Sequence, residues 1–177
     1  MKPYVPLWCK SHFSLLEGAS APEELVTRAH ELGLQALALT DRDSLAGAPR
    51  AAAHARKLGL KLLYGAELHL TAQRRITLIA KDRLGYGNLT QLLSRAPSQE
   101  ASSALTMDDL YRAAQGCFAL IGGADGWFGA EPEVCSRTVD QLKASFADRL
   151  FVRISDHRYP AEVQQLSLIH ISEPTRQ

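Results

Sequence analysis

The chain has 177 residues, of which 46% are hydrophobic and 22% are charged, and its formal net charge is +1. This composition excludes a disordered or fibrous chain and predicts a soluble globular protein of one or two domains. The near-neutral charge gives no strong basic field that would by itself indicate nucleic-acid binding, and no apolar run approaches the roughly 20 residues of a membrane span.

The three cysteines, Cys9, Cys117 and Cys135, are odd in number and widely spaced. They show neither the paired spacing of a zinc site nor the density of a secreted disulfide scaffold. The first residues lead directly into a predicted strand, without the pattern of a signal peptide. We therefore expect reduced thiols and a cytoplasmic protein.

The first half of the chain predicts alternating strands and helices. An opening strand is expected to end at Leu7, and Ser20 with Glu23 forms the S-x-x-E pattern of a helix capping box. Gly33 is expected to end that helix. The stretch LGLQALALTD, residues 32–41, is apolar on both faces, as in a buried parallel strand.

The same pattern of a helix, a glycine and a strand then repeats. A helix is predicted over 44–58, and it is followed by the strand-like stretch LGLKLLYGAELHL over 58–70. Further strands are predicted over 76–80, 118–121 and 150–154, and further helices over 88–95, 107–114 and 134–146. Residues 95–106 and the glycine-rich stretch 121–129 are predicted to be loops. Strands that alternate with helices predict a parallel β/α architecture.

Ionisable side chains follow three of the predicted strands. The ends of the strands are where catalytic and ligand-binding residues of β/α folds usually lie. Glu17, Asp41 and Glu67 are candidate ligands for Mg²⁺ or Mn²⁺, or for Zn²⁺ together with an imidazole. The alternative is that each carboxylate caps a helix or pairs with a cation. His12 and His69 have the same two possibilities, ligand or ordinary hydrogen-bonding residue.

Lys10 and Arg42 lie beside two of these strand ends, and a fixed cation competes with a divalent metal for carboxylates. The local chemistry therefore argues against a working metal centre. The sequence also contains no phosphate-binding loop of the P-loop or dinucleotide type and no nucleophile elbow.

Four segments resemble a known family in the same order along the chain. They are FSLLEGASAPEELVTRAHELGLQALALTDRDSLAG, GLKLLYGAELHL, ITLIAKDRLGYGNLTQLLSRA and LFVRISDHRYP. Together they resemble the polymerase and histidinol phosphatase (PHP) domain of bacterial C-family DNA polymerases, and most closely the error-prone branch related to the alpha subunit of DNA polymerase III. The resemblance implies an α/β fold of the PHP type, a distorted β/α barrel that is incomplete at its C-terminal end.

The resemblance also implies a metal site that has lost its imidazoles. Trp8 and Lys10 occupy the positions of the family's first His-x-His motif, while Arg42 and Arg75 occupy two further histidine positions. The acidic ligand positions are retained as Glu17, Asp41 and Glu67. We therefore expect a degenerate, structural domain that binds no metal.

For the parent protein, the resemblance implies an error-prone DNA-directed DNA polymerase that acts in replication, repair and translesion synthesis. It would use Mg²⁺, a DNA template-primer and deoxynucleotides through a part outside this chain, so no polymerase catalytic residue is assigned here. The alternative is an active metal-dependent PHP phosphoesterase or 3′–5′ exonuclease. Protein partners stay open.

The last residues, 166–177, break the resemblance. The stretch LSLIHISEPTR resembles the translation of a sequencing adapter, so we expect 1–165 to be a partial PHP domain and 166–177 to be non-native.

Overall fold

The structure, a computed structural model, contains five strands and five α-helices in the part of the chain that it describes. This part comprises residues 4–71, 74–95, 105–122, 127 and 132–153, without the side chains of 132–136. The strands are β1 (Ala36–Arg42), β2 (Lys61–His69), β3 (Arg75–Ala80), β4 (Cys117–Gly122) and β5 (Leu150–Arg153). The helices are α1 (Pro22–Glu31), α2 (Ala48–Leu58), α3 (Arg83–Arg95), α4 (Met107–Ala113) and α5 (Pro132–Phe146). A short 3₁₀ turn, Ala147–Arg149, joins α5 to β5.

The strands form one sheet in the order β1-β2-β3-β4-β5. β1 and β2 are parallel, as are β4 and β5, but β3 is antiparallel to both of its neighbours. The sequence-based expectation of an all-parallel sheet is therefore wrong for β3. The connection between β2 and β3 is too short for a crossover helix, so the chain can only return antiparallel.

The two faces of the sheet are both covered over much of their area. On one face, Leu37 and Leu39 of β1 pack with Val26 of α1 and with Ala51 and Ala55 of α2. The same face of β2, β3 and β4 packs against α3 and α4 in the largest apolar cluster. On the other face, Ala38, Ile79 and Leu120 form a small inner cluster. The burial of β1 on both sides explains its continuous apolar sequence.

The segment before the first turn is not the regular strand expected up to Leu7. It runs beside β1, with hydrogen bonds from the Ala38 N–H to the Pro6 carbonyl (3.0 Å) and from the Thr40 N–H to the Cys9 carbonyl (2.8 Å). A single bridge joins Cys9 to Leu39. Because Pro6 has no N–H to donate, a continuous ladder cannot form there.

Two helix starts also differ from the expectation. The N-cap of α1 is Ala21, one residue later than the predicted Ser20. The backbone N–H of Ala21 donates to the Glu24 carboxylate (2.8 Å), so Glu24 takes the place that the prediction gave to Glu23. Helix α3 begins at Arg83 rather than near Asn88, and Asp82 accepts the Gly85 N–H (2.9 Å) at this earlier start.

The thiols of Cys9 and Cys117 are free, as expected. Among the described helices, none combines the length and apolar character needed to cross a bilayer. Most of the predicted 95–106 loop, most of the glycine-rich loop, Ile154 and the 166–177 segment lie outside the described residues.

Candidate functional site

Polar side chains meet at the end of β1 and β2, on the inner face of the sheet. The parallel register places Arg42 of β1 beside Glu67 of β2, and the antiparallel register places Thr77 of β3 on the other side of Glu67. Trp8 and Lys10 approach from the preceding segment, whose hydrogen bonds to β1 hold it along that strand. Glu67 is the centre of this group.

The Glu67 carboxylate is 1% exposed and both of its oxygens accept hydrogen bonds. The Trp8 indole N–H donates to Oε2 (2.7 Å) and the Lys10 ammonium donates to Oε1 (2.6 Å). The guanidinium groups of Arg75 and Arg153 each lie 3.7 Å from a Glu67 oxygen. Burying a carboxylate is costly unless it is paired and hydrogen-bonded, and these groups supply the pairing.

Lys10 joins Glu67 to a second carboxylate, because its ammonium also contacts Glu17. Glu17 in turn accepts from the Arg42 guanidinium at 2.9 Å, and Arg42 donates to the Leu15 carbonyl at 3.0 Å. Desolvation raises the pKa of the Glu17 carboxyl, but the combined effect of Lys10 and Arg42 outweighs it, so the pKa lies below its ordinary value.

The Trp8 ring contributes more than its N–H. The Arg153 guanidinium lies 3.8 Å from the ring centre and the Lys10 ammonium lies 5.0 Å from it. Both distances are within the range of cation–π attraction. The indole therefore contacts two cations while it donates to the same carboxylate that both of them approach.

Asp41 is buried at the end of β1 but is bound differently. Its carboxylate accepts from the Ser11 N–H (2.6 Å), the Ser11 hydroxyl (2.8 Å) and the Ser14 hydroxyl (2.7 Å). Hydroxyl and amide donors therefore satisfy this acid, in place of the lysine or arginine expected from the strand-end pattern. Sequence reasoning missed both serines, because a hydroxyl donor to an acid some 30 residues away leaves no local pattern in the sequence.

The two candidate histidines have partners other than Glu67. His12 places Nδ1 3.3 Å from the Ser20 carbonyl oxygen, and His69 places Nδ1 2.7 Å from Asp43. The backbone N–H of His69 also donates to Asp43 (2.9 Å). Both imidazoles therefore act as ordinary hydrogen-bonding groups.

A divalent metal does not fit these residues. Within the described ranges, no group of three or more histidine, cysteine, aspartate or glutamate side chains is arranged to hold a metal ion. The Glu67 oxygens already face an indole N–H, an ammonium and two guanidinium groups. A cation placed among them would meet repulsion instead of free lone pairs.

A comparison with known protein families identifies the class of protein. The sequence profile of the PHP domain family matches residues 7–159, so the chain belongs to the PHP domain family. The expected α/β fold of the PHP type is confirmed, and the mixed five-stranded sheet is consistent with a partial barrel.

Several curated relatives of the chain have a name more specific than that of the PHP domain family. The chain is 41% identical over 175 residues to an error-prone DNA polymerase of Anaeromyxobacter sp. strain K, and 34% identical over 165 residues to error-prone DNA polymerase 1 of Agrobacterium fabrum. These alignments cover 90% and 92% of this chain but 15% of each relative. A shorter match, 47% over 122 residues, is to the error-prone DNA polymerase of Aromatoleum aromaticum, covering 67% of this chain and 11% of that protein. The chain thus spans about a seventh of the first two relatives.

Solved structures share the fold at low identity. A candidate metal-dependent phosphoesterase from Bifidobacterium adolescentis gives a TM-score of 0.65 at 15% identity, over 97% of this chain and 84% of that one. An amidohydrolase from Chromobacterium violaceum, solved with sulfate and no metal, gives a TM-score of 0.63 at 16% identity, over 93% and 81%. Identity this low shows the fold and nothing about the chemistry.

Proposed function

We propose that this chain is the PHP portion of an error-prone DNA-directed DNA polymerase and that the portion itself is a structural module without hydrolytic activity. The names of the curated relatives support the first part. The arrangement around Glu67 supports the second part, because the residues at the family's ligand positions bind the carboxylates themselves. On this proposal Mg²⁺, the template-primer and deoxynucleotides bind the remainder of the parent, and the protein acts in the cytoplasm.

The bonding of Glu67 is the observation that carries the structural role. Trp8 and Lys10 occupy both carboxylate oxygens at hydrogen-bond distance, and Lys10 extends the network to Glu17. An ammonium or guanidinium can balance a carboxylate, but it cannot lower the pKa of a bound water as a divalent metal does. On this proposal the cluster pairs the buried carboxylates with cations and does not provide a nucleophile.

Metal binding and hydrolysis test this role. The unmodified chain and a triple variant, Trp8→His, Lys10→His and Arg42→His, would be compared for bound Zn²⁺ or Mn²⁺ and for phosphoesterase activity. A matched variant with three histidines on the exposed surface, Tyr4→His, Arg56→His and Lys57→His, controls for added imidazoles. We expect no stoichiometric metal in the unmodified chain, and more metal in the triple variant than in the control.

Two results would favour the alternative of an active PHP phosphoesterase or 3′–5′ exonuclease. One is stoichiometric metal in the unmodified chain, and the other is metal-dependent release of phosphate or of a 3′ nucleotide by that chain. Equal metal content in the triple variant and its control would contradict the proposal that these positions are former ligands.

The polymerase assignment has a separate test at the parent locus. Reading the gene beyond codon 165 should give a long frame with a polymerase palm in place of the 166–177 segment, which we propose is non-native. The full-length product should extend a primed template with Mg²⁺, whereas this chain alone should incorporate no nucleotide. A stop codon soon after codon 165, or extension by the contaminant-free chain, would contradict the proposal.

A further inference from the structure

A cleft lies on the helical side of the sheet, away from the Glu67 cluster, between α2 and α3. Its volume is about 590 Å³, within the roughly 300–1,000 Å³ that ligand sites occupy. Its wall combines aromatic, cationic and small apolar residues: Ala48, Pro49, Ala52, Lys61, Leu62, Leu63, Tyr64, Ala80, Lys81, Asp82, Arg83 and Tyr86.

The charges around this cleft are unbalanced. Lys61, Lys81 and Arg83 form no ion pair within the described residues, and all three are exposed. The one carboxylate, Asp82, is used at the start of α3, where its Oδ1 accepts the Gly85 N–H at 2.9 Å. Three cations against one acid give the cleft a local charge of +2, although the whole chain has a net charge of only +1.

The first turn of α2 adds to this positive potential. It lines the cleft through Ala48 and Pro49 and contains no acidic residue, so the partial positive charge at the helix N-terminus is not compensated by its own side chains. The helix N-terminus therefore adds to the positive potential of Lys61, Lys81 and Arg83, and by itself it would not indicate a ligand.

Two tyrosines supply an aromatic surface in the same cleft. Tyr64 and Tyr86 meet edge to face with ring centres 5.5 Å apart, and Tyr86 is 38% exposed. Neither hydroxyl forms a hydrogen bond within the described residues. An exposed ring flanked by cations without partners provides the two contacts that a flexible nucleic-acid strand uses, base stacking and phosphate attraction.

We propose that this cleft binds single-stranded DNA, with Tyr86 stacking on a base and with Lys61, Lys81 and Arg83 facing the phosphates. A free polyanion of another kind would use the cations but not the ring, and a duplex would hide its base faces from the ring. The choice of DNA over RNA rests on the proposed polymerase function. The stacking and charge chemistry does not rest on it.

Fluorescence anisotropy with a labelled oligodeoxythymidine of about 12 nucleotides tests the proposal on the whole chain, since site sizes of about 4–16 nucleotides are usual for a single-strand binding module. We expect saturable binding at low salt. Tyr86→Ala should weaken it at least about fivefold, whereas Tyr86→Phe should bind as tightly as the unmodified chain, because stacking needs the ring and not the hydroxyl. Tyr4→Ala, at an exposed tyrosine outside the cleft, should have no effect.

The charge contribution has its own variant and control. Lys81→Ala with Arg83→Ala should weaken binding and lower the slope of log affinity against log salt by about 0.7 for each phosphate that the protein no longer neutralises. Arg56→Ala with Lys57→Ala removes the same charge from exposed positions outside the cleft and should leave that slope unchanged.

The proposal would be overturned by the absence of saturable binding, by equal losses in the cleft variants and their controls, or by equal competition from poly-glutamate or a DNA duplex. An oligoribonucleotide that binds tightly while the DNA does not would also overturn it. None of these readouts involves metal or nucleotide incorporation, so failure here leaves the proposed polymerase and structural roles to their own tests.

Discussion

Lys10 is the residue on which the Glu67 cluster depends most directly. Its ammonium contacts both Glu17 and Glu67, and its side chain is 10% exposed. A buried pair adds little net stability relative to a well-packed apolar pair, yet removal of one partner leaves an uncompensated charge. Removal of Lys10 should therefore destabilise the fold, because a buried carboxylate would lose its partner.

Lys10→Ala should lower the free energy of unfolding by about 3 kcal/mol, because Glu67 would keep its buried charge with fewer donors. Arg28→Ala is the matched control, since it breaks an ion pair with Glu31 in which both side chains are more than half exposed. The control should cost under about 1 kcal/mol. Urea unfolding of the three proteins measures both values, and equal losses would contradict the burial argument.

Acid should weaken the contribution of Glu17. Because Lys10 and Arg42 hold the pKa of its carboxyl below the ordinary value of 4.5, the unfolded chain takes up the proton first. The stabilisation is fully present above about pH 4.5 and is lost as the pH falls through the lower, folded pKa.

Glu17→Gln should therefore be less stable than the unmodified chain at pH 7, and the difference should shrink below about pH 4.5. Urea unfolding between pH 7 and pH 3 measures this difference. Some acid dependence should persist in the variant, since Arg50 holds the pKa of Glu23 below its ordinary value. A difference that is constant with pH would contradict the assigned pairing.

At the scale of elements, the turn before α1 positions the residues that bind Asp41. The Ser14 N–H donates to the Ser11 carbonyl (2.8 Å), and the Gly18 N–H donates to the Ser14 carbonyl (2.9 Å). A Cβ atom at Gly18 would overlap the Ser11 carbonyl oxygen, so only glycine fits there. The close approach holds Ser11 and Ser14 beneath the buried carboxylate.

Gly18→Ala should lower the melting temperature by several degrees, because rigid backbone must shift to admit the methyl group and the Asp41 hydrogen bonds shift with it. Gly87→Ala in α3 is the opposite case, since nothing lies within 4 Å of the added Cβ atom. That variant should be as stable or more stable, by up to about 1 kcal/mol, through higher helix propensity. Thermal unfolding followed by circular dichroism measures both effects, and a neutral Gly18→Ala would contradict the steric argument.

At the scale of the whole molecule, β5 is the strand with the least cover. It pairs with β4 alone within the described residues, and Phe151 and Val152 are about half exposed. An edge strand with exposed apolar side chains offers a template for pairing with another copy. We therefore expect copies of this chain to associate at this edge.

Val152→Lys should reduce concentration-dependent association, because a charge on the edge opposes pairing between copies. Leu84→Lys, which replaces a similarly exposed leucine at the start of α3, should have less effect. Sedimentation velocity across a concentration series compares the two. A monodisperse monomer of the unmodified chain, with a cooperative thermal transition, would contradict the prediction.

Local sequence patterns were sufficient to predict much of the order of elements and the types of side chain at the strand ends. Apolar runs, glycine stops and helical periodicity are local, so β1, β2 and α2 lie close to where the pattern predicts them. The absence of imidazoles at Trp8, Lys10, Arg42 and Arg75 is likewise visible in the letters alone, through the resemblance to the PHP family.

Which groups pair depends on the folded arrangement of the sheet. Lys10 bridges Glu17 and Glu67, Asp41 is satisfied by Ser11 and Ser14, and Arg153 stacks on Trp8 from the far end of the sheet. No local pattern encodes these choices, because each brings together side chains distant in sequence and depends on strand register and on competition among donors for a buried acid. The antiparallel direction of β3 could not be predicted locally either, because the alternation of side chains along a strand is the same in both directions. The direction follows from the short connection between β2 and β3.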